Sequence, residues 1–440
     1  MLTPRTRTRK YYPVKTKFVF SHAVAFAWMA VSIVLSIPWV NELGSLTTWP
    51  AALLIIVGLS YIPGYMNAFM LSSLLIDRQP KAKHSNPYDA ITVLIACYNE
   101  EEGIAETLGY IAKQDYDGQI RVIVVDNQST DRTAEAAQAA GKRLGLRLNV
   151  LREPRPGKNH ALNAALRHVG TPLMLTLDAD TAMHRSALRH IVARMKSAPS
   201  DVCAVAGAVL VRNSRRELLG RIQEWDYFLG IASIKRLQGL FQGTLVAQGA
   251  FSLYRTEAVK QVGGWPDAIG EDIVLTWRFL SNGWKVYFEP LAVAFTVVPV
   301  SLKHFMRQRS RWARGMIEAL KVVKPWQQPS PYARYLTFCN LVMPYLDFAY
   351  TFFWIPGLVA AMCGYYYIVG ITTLLVLPLT IGVNLVLYQY QKRVFRSLGL
   401  RIRRNYIGFV AYVFFYQMLM SPVSVWGYVQ EAFKLRRVWK

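Results

Sequence analysis

The sequence predicts a doubly wound α/β domain inserted between transmembrane helices, with amphipathic helices at the membrane interface. Three observations predict it. Between Asn86 and Pro290, short apolar runs alternate with helical patterns. Long apolar blocks flank that region on both sides. Ahead of the second set of blocks lies a strongly basic helical stretch, HFMRQRSRWARGM.

From the N-terminus, a basic start (Arg5, Arg7, Arg9, Lys10, Lys15, Lys17) precedes residues 18–40, which carry no Asp, Glu, Lys or Arg. A bilayer helix needs roughly 20 such residues. The block exceeds a usual signal-peptide core and no small-residue cleavage site follows, so it reads as an uncleaved anchor. Blocks at 50–76, about 335–361, about 364–390 and about 406–430 are also long enough to span. Positive charge places the start, the 78–334 segment and the 391–405 loop in the cytoplasm. Loops 41–49 and 361–365, without Lys or Arg, face outward. Five spans would put the basic tail (Lys434, Arg436, Arg437, Lys440) outside, against the charge rule. A last block that is re-entrant or bent at Pro422 would resolve this, so four to six spans stay open. The organisation is thus 1–77, basic start and two spans; 78–300, the cytoplasmic domain; 301–334, the interface helices; 335–440, about three spans and the tail.

Composition narrows the partners. Lys+Arg 51 against Asp+Glu 27 gives a formal charge of +24, which suits an anionic membrane surface or a phosphorylated substrate. Zinc-finger spacing and RNA-binding aromatic signatures are missing, so nucleic acid is not an expected partner. Cys97, Cys203, Cys339 and Cys363 form no CxxC and read as reduced thiols.

Within the domain, ITVLIA (91–96), IRVIVV (120–125), LRLNVL (146–151) and PLMLTL (172–177) are strand-length runs rich in Val, Ile and Leu. Helical patterns at 101–113, 131–144 and 158–169 separate them, which argues for a mainly parallel sheet. Such sheets bind ligands beyond the carboxyl ends of their strands. CYNEEE, DNQSTD and DADTAM follow the first, second and fourth runs. Asp178 and Asp180 flank one small residue, a spacing with which two carboxylates share a hard divalent cation; a solvated strand-end turn is the alternative. Asp126 can equally cap the next helix. Gly157-Lys158 opens a helix without the GxxxxGK[ST] pattern. Glu271-Asp272 follows Gly270 and reads as an N-cap pair or a catalytic acid. Such a helix start favours a charged carboxylate. Gln308, Arg311 and Trp312 fall at i, i+3 and i+4, so an amide, a guanidinium and an indole share one helical face. Arg307, Arg311 and Arg314 share a face too, which suits anchoring at a membrane surface.

The ordered succession ACYNEEE, VVDNQSTD, PGKNHALNAAL, LDAD, QGAFSLYR, GED and QRSRW resembles the membrane-embedded processive glycosyltransferases of family 2, over about residues 85–320. Cellulose, hyaluronan and chitin-oligosaccharide synthases belong to that group, and the general likeness is to bacterial poly-β-1,6-N-acetylglucosamine synthases. The resemblance implies a GT-A-type domain that binds a UDP-sugar donor and a growing glycan, and inverts the sugar on transfer. It implies that Tyr98, Asn99 and Glu100 line the nucleotide pocket, with Asp126 on the uracil side and Lys158 nearby. Asp178 and Asp180 would hold Mg²⁺ or Mn²⁺ against the diphosphate. Asp272, beside Glu271, would be the general base. Gln308 and Trp312 would meet the acceptor, with Gln248 and Gly249 of the QGAF motif, and Arg311 the diphosphate. An indole stacks on a sugar's C–H face while a guanidinium forks onto phosphate. GED stands where many relatives read TED, and QGAF where they carry an SG-type form. Membrane lipids and a small membrane accessory subunit are further expected partners, in the cytoplasmic membrane of a bacterium. The rival readings are a glycolipid synthase and a nucleotide-sensing receptor, and a receptor has no use for a base.

Overall fold

The computed structural model describes residues 11–77, 82–84, 86–370 and 377–435. It divides into two compact units, Met1–Ala82 with Phe352–Gln389, and Lys83–Thr351 with Tyr390–Lys440. Among the described residues, four helices are long and apolar enough to cross a membrane: Val14–Leu35, Trp49–Leu75, Pro331–Met362 and Tyr406–Ala432. The first ends earlier than expected, because Pro38 starts a new helix, Ile37–Leu46, where an outward loop was expected. In that unit Trp39, Val40 and Leu43 pack on Ala52, Ile55, Ile56 and Tyr61. Of the block expected at 364–390, residues 371–376 lie outside the described residues. Its helix, Leu377–Ser397, runs on into the basic loop.

The second unit holds an eight-stranded sheet: β1 Ile91–Cys97, β2 Ile120–Asp126, β3 Arg147–Arg152, β4 Leu173–Leu177, β5 Ala182–Met183, β6 Val202–Val211, β7 Phe251–Arg255 and β8 Lys285–Thr296. The spatial order is β3-β2-β1-β4-β7-β6-β8-β5. β1 to β4 form where the apolar runs predict, all parallel. Strands buried on both faces read as continuous apolar sequence, and Ile91, Val93, Leu94 and Ile95 are fully buried. The sheet is nevertheless mixed. β7 runs antiparallel between β4 and β6, and β5 is antiparallel to β8, while β6 and β8 pair in parallel.

That reversal matters for the site. Cys97 pairs with Asp126, so the loops after β1 and β2 emerge together. β4 ends beside them. β7 begins opposite Leu177, at Phe251, so the chain entering β7, Gln248–Gly249–Ala250, arrives at the same edge. Asp178 N–H donates to the Ala250 carbonyl at 3.3 Å.

Helix Tyr406–Ala432 packs along helix Leu302–Val322, with Phe305 against Tyr416. Asn405, at its N-cap, reaches the Arg221 carbonyl (2.9 Å) and Glu224 (2.6 Å). At its other end Glu431 accepts from Lys321 (2.7 Å) and Arg314 (3.4 Å). This corrects one expectation: Arg314 is buried and bonded to Glu431 and the Leu435 carbonyl, so it does not join exposed Arg307 in gripping a membrane surface. All four cysteines are free, and burial pushes the Cys97 and Cys203 thiols up.

Candidate active site

The loops after β1 and β2 lock together. Asn99 and Gln128 both adopt left-handed backbone, φ 55° and 63°, a conformation rare outside Gly that concentrates at ligand sites. Asn99 N–H donates to Ser129 Oγ (3.0 Å), and its Oδ1 accepts from Thr130 N–H (2.8 Å). Glu100 N–H donates to Thr133 Oγ1 at 2.8 Å. Asp126 Oδ1 accepts from Ser129 N–H at 3.1 Å, a bond in the turn ahead of helix Thr133–Arg143, whose N-cap is Arg132. Tyr98 is exposed at the edge.

Asn127, which the sequence reading passed over, positions the next piece. Its Nδ2 donates to the carbonyls of Glu153 (3.0 Å) and Arg155 (2.6 Å), and its Oδ1 accepts from Gly157 N–H (2.8 Å). Gly157 has φ 132°, open to glycine alone. From that turn the Lys158–Leu166 helix starts, and Lys158 Nζ contacts Asp178 Oδ1. Burial alone would lower the Lys158 ammonium, but Asp178, Glu271 and Asp272 outweigh it and hold the group up. Asp180 accepts from Thr181 and Thr296 hydroxyls, each at 3.3 Å. Burial, then the charge of Asp178, pushes its carboxyl up.

Among the described residues no three His, Cys, Asp or Glu side chains gather to hold a metal. The pair Asp178 and Asp180 still fits one. Two repelling carboxylates at a strand end are hard oxygen donors, and a Mg²⁺- or Mn²⁺-sized ion completes its shell with substrate phosphate and water.

Across the pocket, helix Glu271–Ser281 starts after Gly270. Asp272 accepts from Ile273 N–H (2.8 Å, Oδ1) and Gly249 N–H (3.3 Å, Oδ2). A Cβ on Gly249 would lie 2.8 Å from Lys158 Nζ and 3.9 Å from Glu271 Oε1. Gly249, Lys158, Glu271 and Asp272 therefore share one pocket, and a side chain at 249 would push the Lys158 ammonium aside. The strap before Gly249 is pinned throughout: Lys235 Nζ donates to the Val246 carbonyl (2.8 Å), Ala247 N–H to Thr276 (2.9 Å), and Tyr254 to the Ala247 carbonyl (2.7 Å). Gln248 spends its Nε2 on the Gly207 carbonyl (2.8 Å). Burial pushes the Lys235 ammonium down to about 8.

Helix Leu302–Val322 carries Gln308, Arg311 and Trp312. Glu318, one and a half turns past Trp312, accepts from Ile269 N–H (2.7 Å) and Gly270 N–H (3.2 Å). Gly270 and Gly315 meet backbone to backbone, so a Cβ on either would approach the other's Cα within 2.8 Å. Helix Leu302–Val322 and the loop before helix Glu271–Ser281 are thereby joined. Arg311 acts on the charge of Glu271, on the pocket side, while Trp312 is 41 % exposed. The cation stacked on the indole is not Arg311. It is Arg309, at 4.1 Å from the ring centroid.

A family model described as "Glycosyltransferase like family 2" matches residues 87–315, the stretch that builds this pocket. The chain belongs to that family. It is 35 % identical over 233 residues to the poly-β-1,6-N-acetyl-D-glucosamine synthase of Staphylococcus aureus, covering 53 % of this chain and 56 % of that one. The synthase of the same name from Staphylococcus epidermidis is 31 % identical over 269 residues, 60 % of this chain and 64 % of that one. The chain thus spans less than two thirds of the length of these relatives. Among solved structures, a mannosyltransferase from Pyrobaculum calidifontis, in complex with GDP-mannose and Mn²⁺, superposes with a TM-score of 0.59 at 20 % identity, over 94 % of this chain and all of that one. That likeness shows the fold.

In this family 2 glycosyltransferase, Glu271 is held up at about 7 by burial and by Asp272, against the pull of Lys158 and Arg311. The raised value has a stability consequence. From the ordinary carboxylate range up to about 7, the folded protein keeps a proton that the unfolded chain has lost, so stability falls as pH rises through that window. Glu271→Gln cannot ionise and escapes the penalty. Its melting temperature relative to the parent, without metal or donor, is expected to rise between pH 5 and pH 8. A difference flat with pH would mean that Glu271 is ionised throughout.

Proposed function

We propose that the protein is an inverting, metal-dependent, processive glycosyltransferase that polymerises a sugar from a UDP donor, with UDP-N-acetylglucosamine and a β-1,6-linked glycan as the substrate pair. It works from the cytoplasmic face of a bacterial membrane and passes the polymer across. One observation carries the reading: Lys158, Asp178, Glu271, Asp272 and Gly249 converge at the carboxyl edge of the sheet, and the helix of Arg311 and Trp312 is bonded through Glu318 to the loop that starts the Asp272 helix. The activity of the staphylococcal relatives supports the choice of sugar, and the Mn²⁺ bound with GDP-mannose in the Pyrobaculum calidifontis mannosyltransferase agrees with the choice of ion.

Asp178 and Asp180 would hold the ion, which when bound neutralises charge on the leaving diphosphate. Lys158 and Arg311 bring two further cations to the same phosphates. Asp272 takes the proton of the acceptor hydroxyl as that oxygen attacks the anomeric carbon. The bond from that carbon to the phosphate oxygen breaks in the same displacement, which inverts the centre and releases UDP. Gly249 N–H, donating to Asp272, orients the carboxylate.

The test is to supply purified protein with UDP-N-acetylglucosamine and, separately, UDP-glucose, then measure UDP release and size the products. A ladder of N-acetylglucosamine polymer is expected, and Trp312→Ala is expected to shorten it with UDP affinity retained. A single glycolipid product would replace the polymerase reading with a lipid glycosyltransferase.

A further inference from the structure

We propose that Arg309, with its partner Asp226, is the positioning residue that fixes the plane of the Trp312 indole. The inference rests on the reading of Trp312 as the acceptor platform. Arg309 is 2 % exposed, in the middle of an otherwise amphipathic helix. Its Nη2 donates to Asp226 Oδ2 at 2.8 Å. Its guanidinium carbon lies 4.1 Å from the Trp312 ring centroid, 5.2 Å from that of Phe305 and 5.6 Å from that of Tyr227. The Tyr227 and Trp312 rings are 6.4 Å apart, tilted by 55°. Trp312 is thus floored on its inner side and open on its outer side, as a stacking surface for a sugar requires.

A buried charge pair is a costly way to fill space, since an apolar side chain of similar volume packs at least as well. What a guanidinium adds is a rigid plane that stacks on an aromatic face. Its hydrogen bonding points the same way. Among the described residues Arg309 Nε has no hydrogen-bond partner while Nη2 keeps Asp226, so the seat of the guanidinium on the rings leaves one of its donors unmet. Asp226 adds a second constraint. It opens a π-turn, Asp226–Ile231, between helices Leu218–Trp225 and Ala232–Leu240. Such turns are rare and frequent at functional sites. Here the turn turns both Asp226 and Tyr227 toward Arg309. The acceptor platform is therefore set by residues 83 positions apart in the chain.

The full-length protein labelled with 5-fluorotryptophan gives a direct readout, independent of substrate. The Trp312 resonance is the line missing from Trp312→Phe. Arg309→Lys keeps the charge and loses the plane, while Asp226→Asn keeps a hydrogen bond and loses the counter-charge. Both are expected to shift and broaden that one line while UDP affinity stays parental. A Trp312 line unchanged in both variants overturns the proposal, and either variant alone decides if the other fails to assemble. The functional arm uses UDP-N-acetylglucosamine with a β-1,6-linked N-acetylglucosamine oligomer. Arg309→Lys is expected to raise the acceptor KM about three- to thirtyfold, the range of a desolvated cation–π contact, with kcat and donor KM little changed. In a Trp312→Ala background the same change is expected to do nothing further, and an additive loss there also overturns the proposal. An acceptor KM unaltered by Trp312→Ala alone would instead sink the reading of Trp312 as platform, while the fluorine line still decides what Arg309 holds.

Discussion

Asp272→Asn is expected to abolish sugar transfer while the fold, membrane insertion and UDP affinity survive. The carboxylate lies in the first turn of helix Glu271–Ser281, where backbone N–H groups lack helical partners. The carboxylate accepts from one of them, Ile273 N–H at 2.8 Å, and from Gly249 N–H in the strap before β7 at 3.3 Å. An asparagine can still accept from one of them, so the loop keeps most of its geometry. What it cannot do is take a proton. Removing a general base typically costs on the order of a hundred- to ten-thousandfold in rate. Glu271→Gln should cost less, because Glu271 faces Lys158 and Gly249 and no role as base is assigned to it. The measurement is polymer formed per protein, with UDP titrated into both variants. Transfer by Asp272→Asn at near-parental rate would reduce Asp272 to a helix cap and send the search for the base elsewhere.

Much of the parallel half of the sheet was legible because its strands are buried on both faces, and burial writes itself as uninterrupted Val, Ile and Leu. β6 to β8 went unread. Strand direction leaves no mark on composition, and the five residues FSLYR of β7 do not announce that they enter antiparallel. Motif residues in the site were legible as types at strand ends and helix starts. Their supports were not, because each acts over a gap that only the fold closes: Asn127 on Gly157, Glu318 on Gly270, Asp226 on Arg309. Arg314 shows the converse error. Helical spacing correctly groups it with Arg307 and Arg311, but spacing says which residues share a face and not what covers it. Glu431 and the last helix cover it. The indole's cation went unread as well: Arg309, three residues before Trp312, folds onto the ring, while the sequence reading gave Arg311 to the diphosphate and named no partner for the indole but a sugar.

The ion is the second large effect. Asp178 and Asp180 face a shared site in which Lys158 pairs with Asp178 and also acts on the charge of Asp180. Asp180 accepts from two hydroxyls, at 3.3 Å, and burial with the charge of Asp178 disfavours its ionised form, so negative charge is left over when both carboxylates are ionised. A diphosphate brought to that edge would add to it, and the ammonium of Lys158 and the guanidinium of Arg311 are too few to balance the sum. A divalent cation shared by the two carboxylates and the phosphates supplies the difference, worth several kcal/mol when charge develops on the leaving group. On the order of a hundredfold or more in rate then depends on it. EDTA is expected to stop turnover, with Mg²⁺ or Mn²⁺ restoring it, and Asp178→Asn and Asp180→Asn are expected to stay inactive with either ion. A readout apart from activity separates loss of the ion from loss of fold. Mn²⁺ with UDP should raise the melting temperature of the parent and leave that of Asp180→Asn where it was. Full turnover in EDTA, unchanged by either ion, would remove the metal from the mechanism and leave Lys158 and Arg311 as the sole counter-charges to the diphosphate.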